Sequence, residues 1–266
     1  MYAKKVKNDM EYIKNFFKYR GLIEELVGRD LKVKYRRSAL GYVWTILSPL
    51  MMMIVMSIVF SFFFRYEIEN YTVYLLTGQL LFNFYSEATN SAMSSIVSSR
   101  SLISKVHIPK YIFPMARVMS AFVNLLFSLV AIVIMLIVTK SQIYPTIFLF
   151  PISLFYLFIF TLGIGLILSV LAVFFRDIYH IYSVLVTALM YFTPIFYPTS
   201  ALPDYAIRLI KLNPLYHIVT MFRACVIYGK FPTLNQNLIC MGIGTLFLGT
   251  GLLLFKKNQD KFVMFI

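Results

Sequence analysis

Charge is what this chain has least of. Only 14% of its 266 residues are Asp, Glu, Lys or Arg, where soluble domains carry about a quarter. Acids are the scarcest, 11 against 25 Lys and Arg, and no Asp-x-Asp pair occurs. Little is left for acid–base or metal-dependent catalysis. The two cysteines, Cys225 and Cys240, form no Cys-x-x-Cys, so neither a disulfide framework nor a thiolate metal site is expected. His107, His180 and His217 are far apart and show no His-Glu-x-x-His spacing, so structural roles and no metal are expected. A phosphate-binding loop is missing as well. Gly244 to Gly249 has its first spacing, but Thr250-Gly251 stands where Lys-Ser/Thr would follow. No ATP site, and no cofactor within this chain, is expected.

What is abundant is apolar: 60% of the residues are hydrophobic, gathered into blocks. A span needs roughly 20 apolar residues to cross a hydrocarbon core of about 30 Å. Six blocks qualify, at 42–64, 72–98, 114–138, 143–175, 178–197 and 238–255. The expected fold is therefore an all-α polytopic membrane protein. Residues 1–41 form a cytoplasmic segment and 42–266 a single transmembrane domain. The fourth block has 33 residues, which calls for tilt, a kink at Pro151 or an extended end. Residues 198–237 hold two short helical stretches broken at Asn213-Pro214. Each is too short to cross and too apolar for water, which fits a re-entrant or interfacial pair. Residues 1–40 hold no isolated apolar core, so an uncleaved N-terminus is expected.

Six spans put both termini on one side, and charge chooses the side. The N-terminal segment, residues 100–117, Arg176 and the C-terminal tail together hold 19 of the 25 Lys and Arg. Basic residues near span ends stay in the cytoplasm, so both termini are expected there. The net charge of +14 reads as topology rather than as nucleic-acid binding. Residues 10–28 place Ile13, Phe16, Phe17, Leu22, Ile23, Leu26 and Val27 at helical spacing, which suits an amphipathic helix in the membrane interface, in contact with lipid. Arg29, Asp30, Lys34, Tyr35, Arg36 and Arg37 follow in one basic run, which by itself reads equally as a plain cytoplasmic anchor or as an interface motif with a further job.

Five stretches, in order, carry a resemblance: RDLKVKYRRSALGYVWTILSPL (29–50), GQLLFNFYSEATNSAMSSIVSSRSLISKVHIPKYIFPMARV (78–118), FFRDIYHI (174–181), TPIFYP (193–198) and LNPLYHIVTMFR (212–223). Together they resemble the type-2 ABC exporter permeases for polysaccharides, the Wzm, KpsM and TarG type, over nearly the whole chain. The resemblance implies a bacterial or archaeal cytoplasmic-membrane half-transporter. Two copies would form a channel, and two separate ATPase subunits with ATP and Mg would dock from the cytoplasm. The cargo would be a polyprenyl-pyrophosphate-linked glycan such as O-antigen, capsule or teichoic acid.

The resemblance gives certain residues candidate roles. Residues 99–112 become the coupling connector, in which apolar Leu102, Ile103, Val106 and Ile108 could plug into a partner's cleft with Arg100, Lys105 and Lys110 at its rim. Arg176 and Asp177 would form the neighbouring cytoplasmic turn. Glu87, the one acid deep inside an expected span, lies near Asn83, Ser86 and Asn90. It reads either as part of a polar patch along the conduit or as an internal pair, with Arg117 as a partner. Tyr85, Tyr191, Phe192, Phe196 and Tyr197 could stack on passing sugars, or belong to interfacial belts. In the outer region around Asn213 and Pro214, Arg208, Lys211 and Arg223 could meet pyrophosphate, or simply snorkel. Two other classes compete. One is a membrane enzyme on lipid-linked sugars, for which acids are too few. The other is an ion-coupled secondary transporter, which commonly shows internal repeats absent here.

Overall fold

The computed structural model describes residues 19–36, 38–64, 68, 70–105 and 108–265. Residues 10–18 of the expected amphipathic helix, together with Arg37 and Val106, lie outside the described residues. Eleven helices follow one another, with no strand among the described residues. They are α1 (Arg20–Tyr35), α2 (Trp44–Phe64), α3 (Tyr71–Ser98), α4 (Arg100–Ile103), α5 (Ile112–Val138), α6 (Phe150–Phe174), α7 (Ile178–Phe192), α8 (Asp204–Ile210), α9 (Pro214–Val226), α10 (Leu234–Asn258) and α11 (Phe262–Phe265).

Among the described residues four helical segments are long and apolar enough to cross a membrane: Gly41–Phe60, Ile112–Val138, Pro145–Phe174 and Leu234–Lys261. With α3 at 28 residues it is composition, not length, that keeps it out of this set. The 15 residues of α7 are apolar but short. The fourth expected block resolves into a 3₁₀ turn, Pro145–Leu149, followed by α6. Pro151 falls in the first turn of α6, where its missing N–H costs nothing, so it starts the helix instead of kinking it. The fifth block ends as helix at Phe192, and Thr193 to Pro198 turn away as irregular chain.

The most polar long helix is the most enclosed. α3 packs on α2, α5 and α6. Small side chains let the neighbours approach: Ala88, Thr89, Ala92 and Ser95 are all fully buried. A Cβ on Gly165 of α6 would lie 2.9 Å from Ala92 Cβ. The segment containing α6 is likewise mostly covered, its most apolar stretch 61% buried against 11% for that of α2. α2 thus stands at the periphery with Met51, Ile54, Val55 and Ile58 uncovered. Between helices in lipid, close packing of this kind replaces the hydrophobic drive available in water.

Two features fix the outer helices to this core. Gly163 of α6 faces α10 so closely that a Cβ would lie 2.5 Å from the main chain at Phe247 and Leu248. On α2, Pro49 has no N–H to give the Thr45 carbonyl one turn back. Ser128 Oγ of α5 donates to that carbonyl at 2.9 Å, so a side chain of the neighbouring helix replaces the missing ladder bond. A second cluster joins Ile23 and Leu26 of α1 to Ile112, Phe113 and Ala116 of α5 and to Phe255 and Phe262 at the chain's other end. α1 continues without a break through Gly28 into the basic run.

Gly163→Ala should push α6 from α10 and cost about 1–3 kcal/mol, read as a lower thermal midpoint of the purified chain in detergent. Ser128→Ala should cost about 1–3 kcal/mol by leaving the Thr45 carbonyl unpaired, whereas the same change in a Pro49→Ala background should cost less.

Candidate functional site

The exposed face of α3 is polar. Asn83, Glu87, Asn90 and Ser94 recur at spacings of four, three and four, which places them along one side of a helix. Asn83, Glu87 and Asn90 are exposed, Ser94 is half-buried, and the rest of the helix is largely covered by α2, α5 and α6. Eleven residues of helix span roughly 16 Å, about half of a hydrocarbon core.

Glu87 does not meet Arg117. Its Oε1 accepts from Lys34 Nζ of α1 at 2.6 Å and from Asn124 Nδ2 of α5 at 3.2 Å. Arg117 instead pairs with Asp30 of α1 at 2.8 Å, and Asp30 also receives Arg29 at 3.3 Å and the Ser120 hydroxyl at 3.5 Å. Two ion pairs one helical turn apart on α1 therefore tie the basic run to α3 and α5. Arg36 is exposed at the end of α1, and the side chain of Tyr35 lies outside the described residues.

The connector differs from the expectation. α4 is a single turn, and Leu102, Ile103 and Ile108 are half-buried against the cluster shared by α1 and α5. Its apolar side packs on its own chain. Arg100 and Lys105 are exposed. Lys110 Nζ donates to the Gln259 carbonyl at 2.6 Å and lies 5.9 Å from the Phe262 ring, holding the C-terminal turn against the connector. Arg176 and Asp177 are exposed at the turn between α6 and α7.

The aromatics divide. Tyr85 faces the core, buried, its ring stacked on Phe160 at 5.7 Å. Phe196 is buried against Phe60 at 5.3 Å. Neither ring is open to a passing sugar in this conformation. Tyr191 and Phe192 are exposed at the end of α7, and the Tyr197 hydroxyl donates to the Tyr191 carbonyl.

The residues after α7 form a site that pattern reading missed. Thr193 to Phe196 are buried but not helical, so their carbonyls need donors from elsewhere. Arg223 of α9, 3% exposed, donates to Pro194 O at 2.6 Å, Ile195 O at 3.3 Å and Tyr74 O at 2.9 Å. It also contacts the Thr77 hydroxyl at 3.4 Å, and its guanidinium lies 3.5 Å from the centre of the Tyr74 ring. The Tyr71 hydroxyl donates to Phe196 O at 2.8 Å, and the Tyr74 hydroxyl to Tyr197 O at 2.9 Å. Gly78 leaves room for this, because a Cβ there would collide with Arg223 Nη2. Asn213 completes the clamp: its Nδ2 donates to Thr193 Oγ1 at 2.8 Å while its Oδ1 accepts from Leu215 N at 3.0 Å as the cap of α9. Pro214 opens α9 at a position that suits it. Arg223 thus serves as an internal fastener, while Arg208 and Lys211 are exposed beside α8. The readable signal was Arg223 as the one cation in α9, with Tyr71 and Tyr74 one turn apart.

The family model described as ABC-2 type transporter matches residues 22–227. The chain belongs to that family. It is 30% identical over 254 residues to the O-antigen export system permease protein RfbA of Myxococcus xanthus, covering 94% of this chain and 97% of that one. It is 29% identical over 246 residues to a Klebsiella pneumoniae protein of the same name, covering 91% and 93%. The polysialic acid transport protein KpsM of Escherichia coli is 26% identical over 245 residues, covering 90% and 93%. With its four apolar spans, this family member is a multi-pass membrane protein. Among its described residues no group of three or more His, Cys, Asp or Glu could hold a metal ion.

Arg223→Lys should not restore the clamp, since an ammonium cannot serve three carbonyls in the planar fork of a guanidinium. We expect a loss of about 3 kcal/mol or more from leaving buried groups unpaired, measured as loss of monodisperse protein on heating in detergent. Gly78→Ala should reproduce part of that loss.

Proposed function

We propose that this chain is the permease half of an ATP-driven exporter that moves a polyprenyl-pyrophosphate-linked polysaccharide, of O-antigen, capsule or teichoic acid type, out across the cytoplasmic membrane. It works as a homodimer with two separate ATPase subunits that bring ATP and Mg. Six spans, α2, α3, α5, α6, α7 and α10, put both termini in the cytoplasm, and α8 with α9 forms a re-entrant pair on the outer side. The observation that carries this reading is the polar face of α3 at Asn83, Glu87, Asn90 and Ser94. Polar groups within a span avoid hydrocarbon and face water or protein. Hydroxyl-rich cargo suits such a face, and the relatives are named for O-antigen export and polysialic acid transport. Arg100 and Lys105 on the connector, together with Arg176 and Asp177 at the turn between α6 and α7, offer the exposed polar surface for the ATPase.

Asn90→Leu should separate a passage from a lipid-facing surface. A passage predicts roughly tenfold less surface glycan at an unchanged permease level, while a lipid-facing position predicts unchanged or improved behaviour. Arg100→Glu combined with Lys105→Glu should reduce co-purification of the ATPase without lowering the amount of permease. If depletion of the chain leaves every surface glycan at its normal level, the export reading fails.

A further inference from the structure

A cleft of about 480 Å³ opens between α2, α3 and α5, a volume in the range of small-molecule sites. Its lining includes Trp44, Lys34, Gln79, Asn83, Glu87 and Asn124. Three facts restrict what it can hold. The amide of Gln79, 8% exposed, makes no hydrogen bond among the described residues, and its Oε1 is buried without a partner. Asn124, 7% exposed, spends its Nδ2 on Glu87 and leaves Oδ1 buried and unpaired. Buried amides without partners are uncommon, and each calls for a cause. Among the described residues the lining's one cation and one acid, Lys34 and Glu87, pair at 2.6 Å. That leaves the described lining with no net charge to attract a metal ion or a phosphate.

We propose that this cleft, resting on the export reading above, is a binding site for one uncharged pyranose unit of the exported glycan. An acyl chain would leave the Gln79 and Asn124 amides unmet. A sugar hydroxyl both donates and accepts, so a pyranose satisfies amides presented in either sense. Its ring also has an apolar flank, and Trp44 supplies a flat apolar surface with one polar edge. Asn83, exposed and without a hydrogen bond among the described residues, stands on both the cleft lining and the polar face of α3. The site therefore opens directly onto the proposed path of the chain of sugars. Selection of the glycan begins here, inside the permease, on sugar shape and not on charge.

Trp44 is the sole tryptophan of the chain, so emission of the full-length protein in lipid nanodiscs reads the cleft without background. The probe is a lipid-free tri- or tetrasaccharide cut from the surface glycan that cells lose when this permease is depleted. We expect a saturable shift in emission with a midpoint on the order of 1–10 mM, no shift with inorganic pyrophosphate, and roughly tenfold weaker binding in both Gln79→Leu and Asn83→Ser. In cells the same two variants, at normal membrane levels, should lower export several-fold, and Trp44→Phe should fall between wild type and Trp44→Ala. A flat titration, or an identical shift in Gln79→Leu and Asn83→Ser, would mean that Trp44 is only an interfacial anchor, and the site would be lost while the export reading stood. An emission shift with pyrophosphate that competes with the sugar would also overturn it, in favour of a carrier-headgroup site. If depletion alters no glycan, the export reading itself has failed.

Discussion

A buried carbonyl without a donor costs about as much as a lost hydrogen bond, and Thr193 to Tyr197 would present several at once. The chain stops being helical there, yet four of those five residues are buried. In a bilayer the demand is stricter, since no water stands by to help. Arg223, Tyr71 and Tyr74 meet it from two different helices. A guanidinium with several fixed donors can serve several carbonyls together, and the Tyr74 ring offsets part of its desolvation from the face. Without this arrangement the break after α7 could not be buried, and α8 and α9 could not pack where they do.

The same logic runs through the rest of the molecule. The Pro49 gap in α2 is closed by a hydroxyl from α5. Glu87 is held by an ammonium and an amide, Asp30 by a guanidinium and a hydroxyl. Each fixed polar group pins one helix to another. In a setting where apolar packing distinguishes poorly between alternative neighbours, these bonds select the pairing. The polarity of α3 then explains its central place. Its Ser, Thr and Ala side are what its neighbours approach, and its Asn and Glu side is what they leave uncovered.

Much of this was legible in the sequence, and the limits are physical. Long uncharged runs marked α2, α5, α6 and α10 because hydrocarbon selects for composition directly. Asn213-Pro214 marked the start of α9 because a cap and a proline at the first turn are local chemistry. Pro151 was ambiguous, since one residue type both starts helices and bends them, and only the 3₁₀ turn before it decides. Tyr85 and Asn83 are two residues apart, yet one lies in the core and the other in the open. Sequence alone gave no phase for α3, as both faces carry aromatic and polar groups. The Arg223 clamp joins residues about 150 positions apart, and Leu102 and Ile103 turned inward because of a cluster built from both ends of the chain. Neither can be read from a local pattern.

The length of α3 has a mechanical meaning. At about 1.5 Å per residue its 28 residues reach roughly 42 Å, some 12 Å beyond the hydrocarbon thickness. The single turn of α4 follows it with only Ser99 between them. An ATPase docked on Arg100, as proposed, would grip the end of a stiff rod whose other end is embedded among α2, α5 and α6. A push or a twist delivered there is not absorbed in a slack loop. Along that rod lie Asn90, Glu87 and Asn83, and Glu87 is tied to α1 and α5 through Lys34 and Asn124.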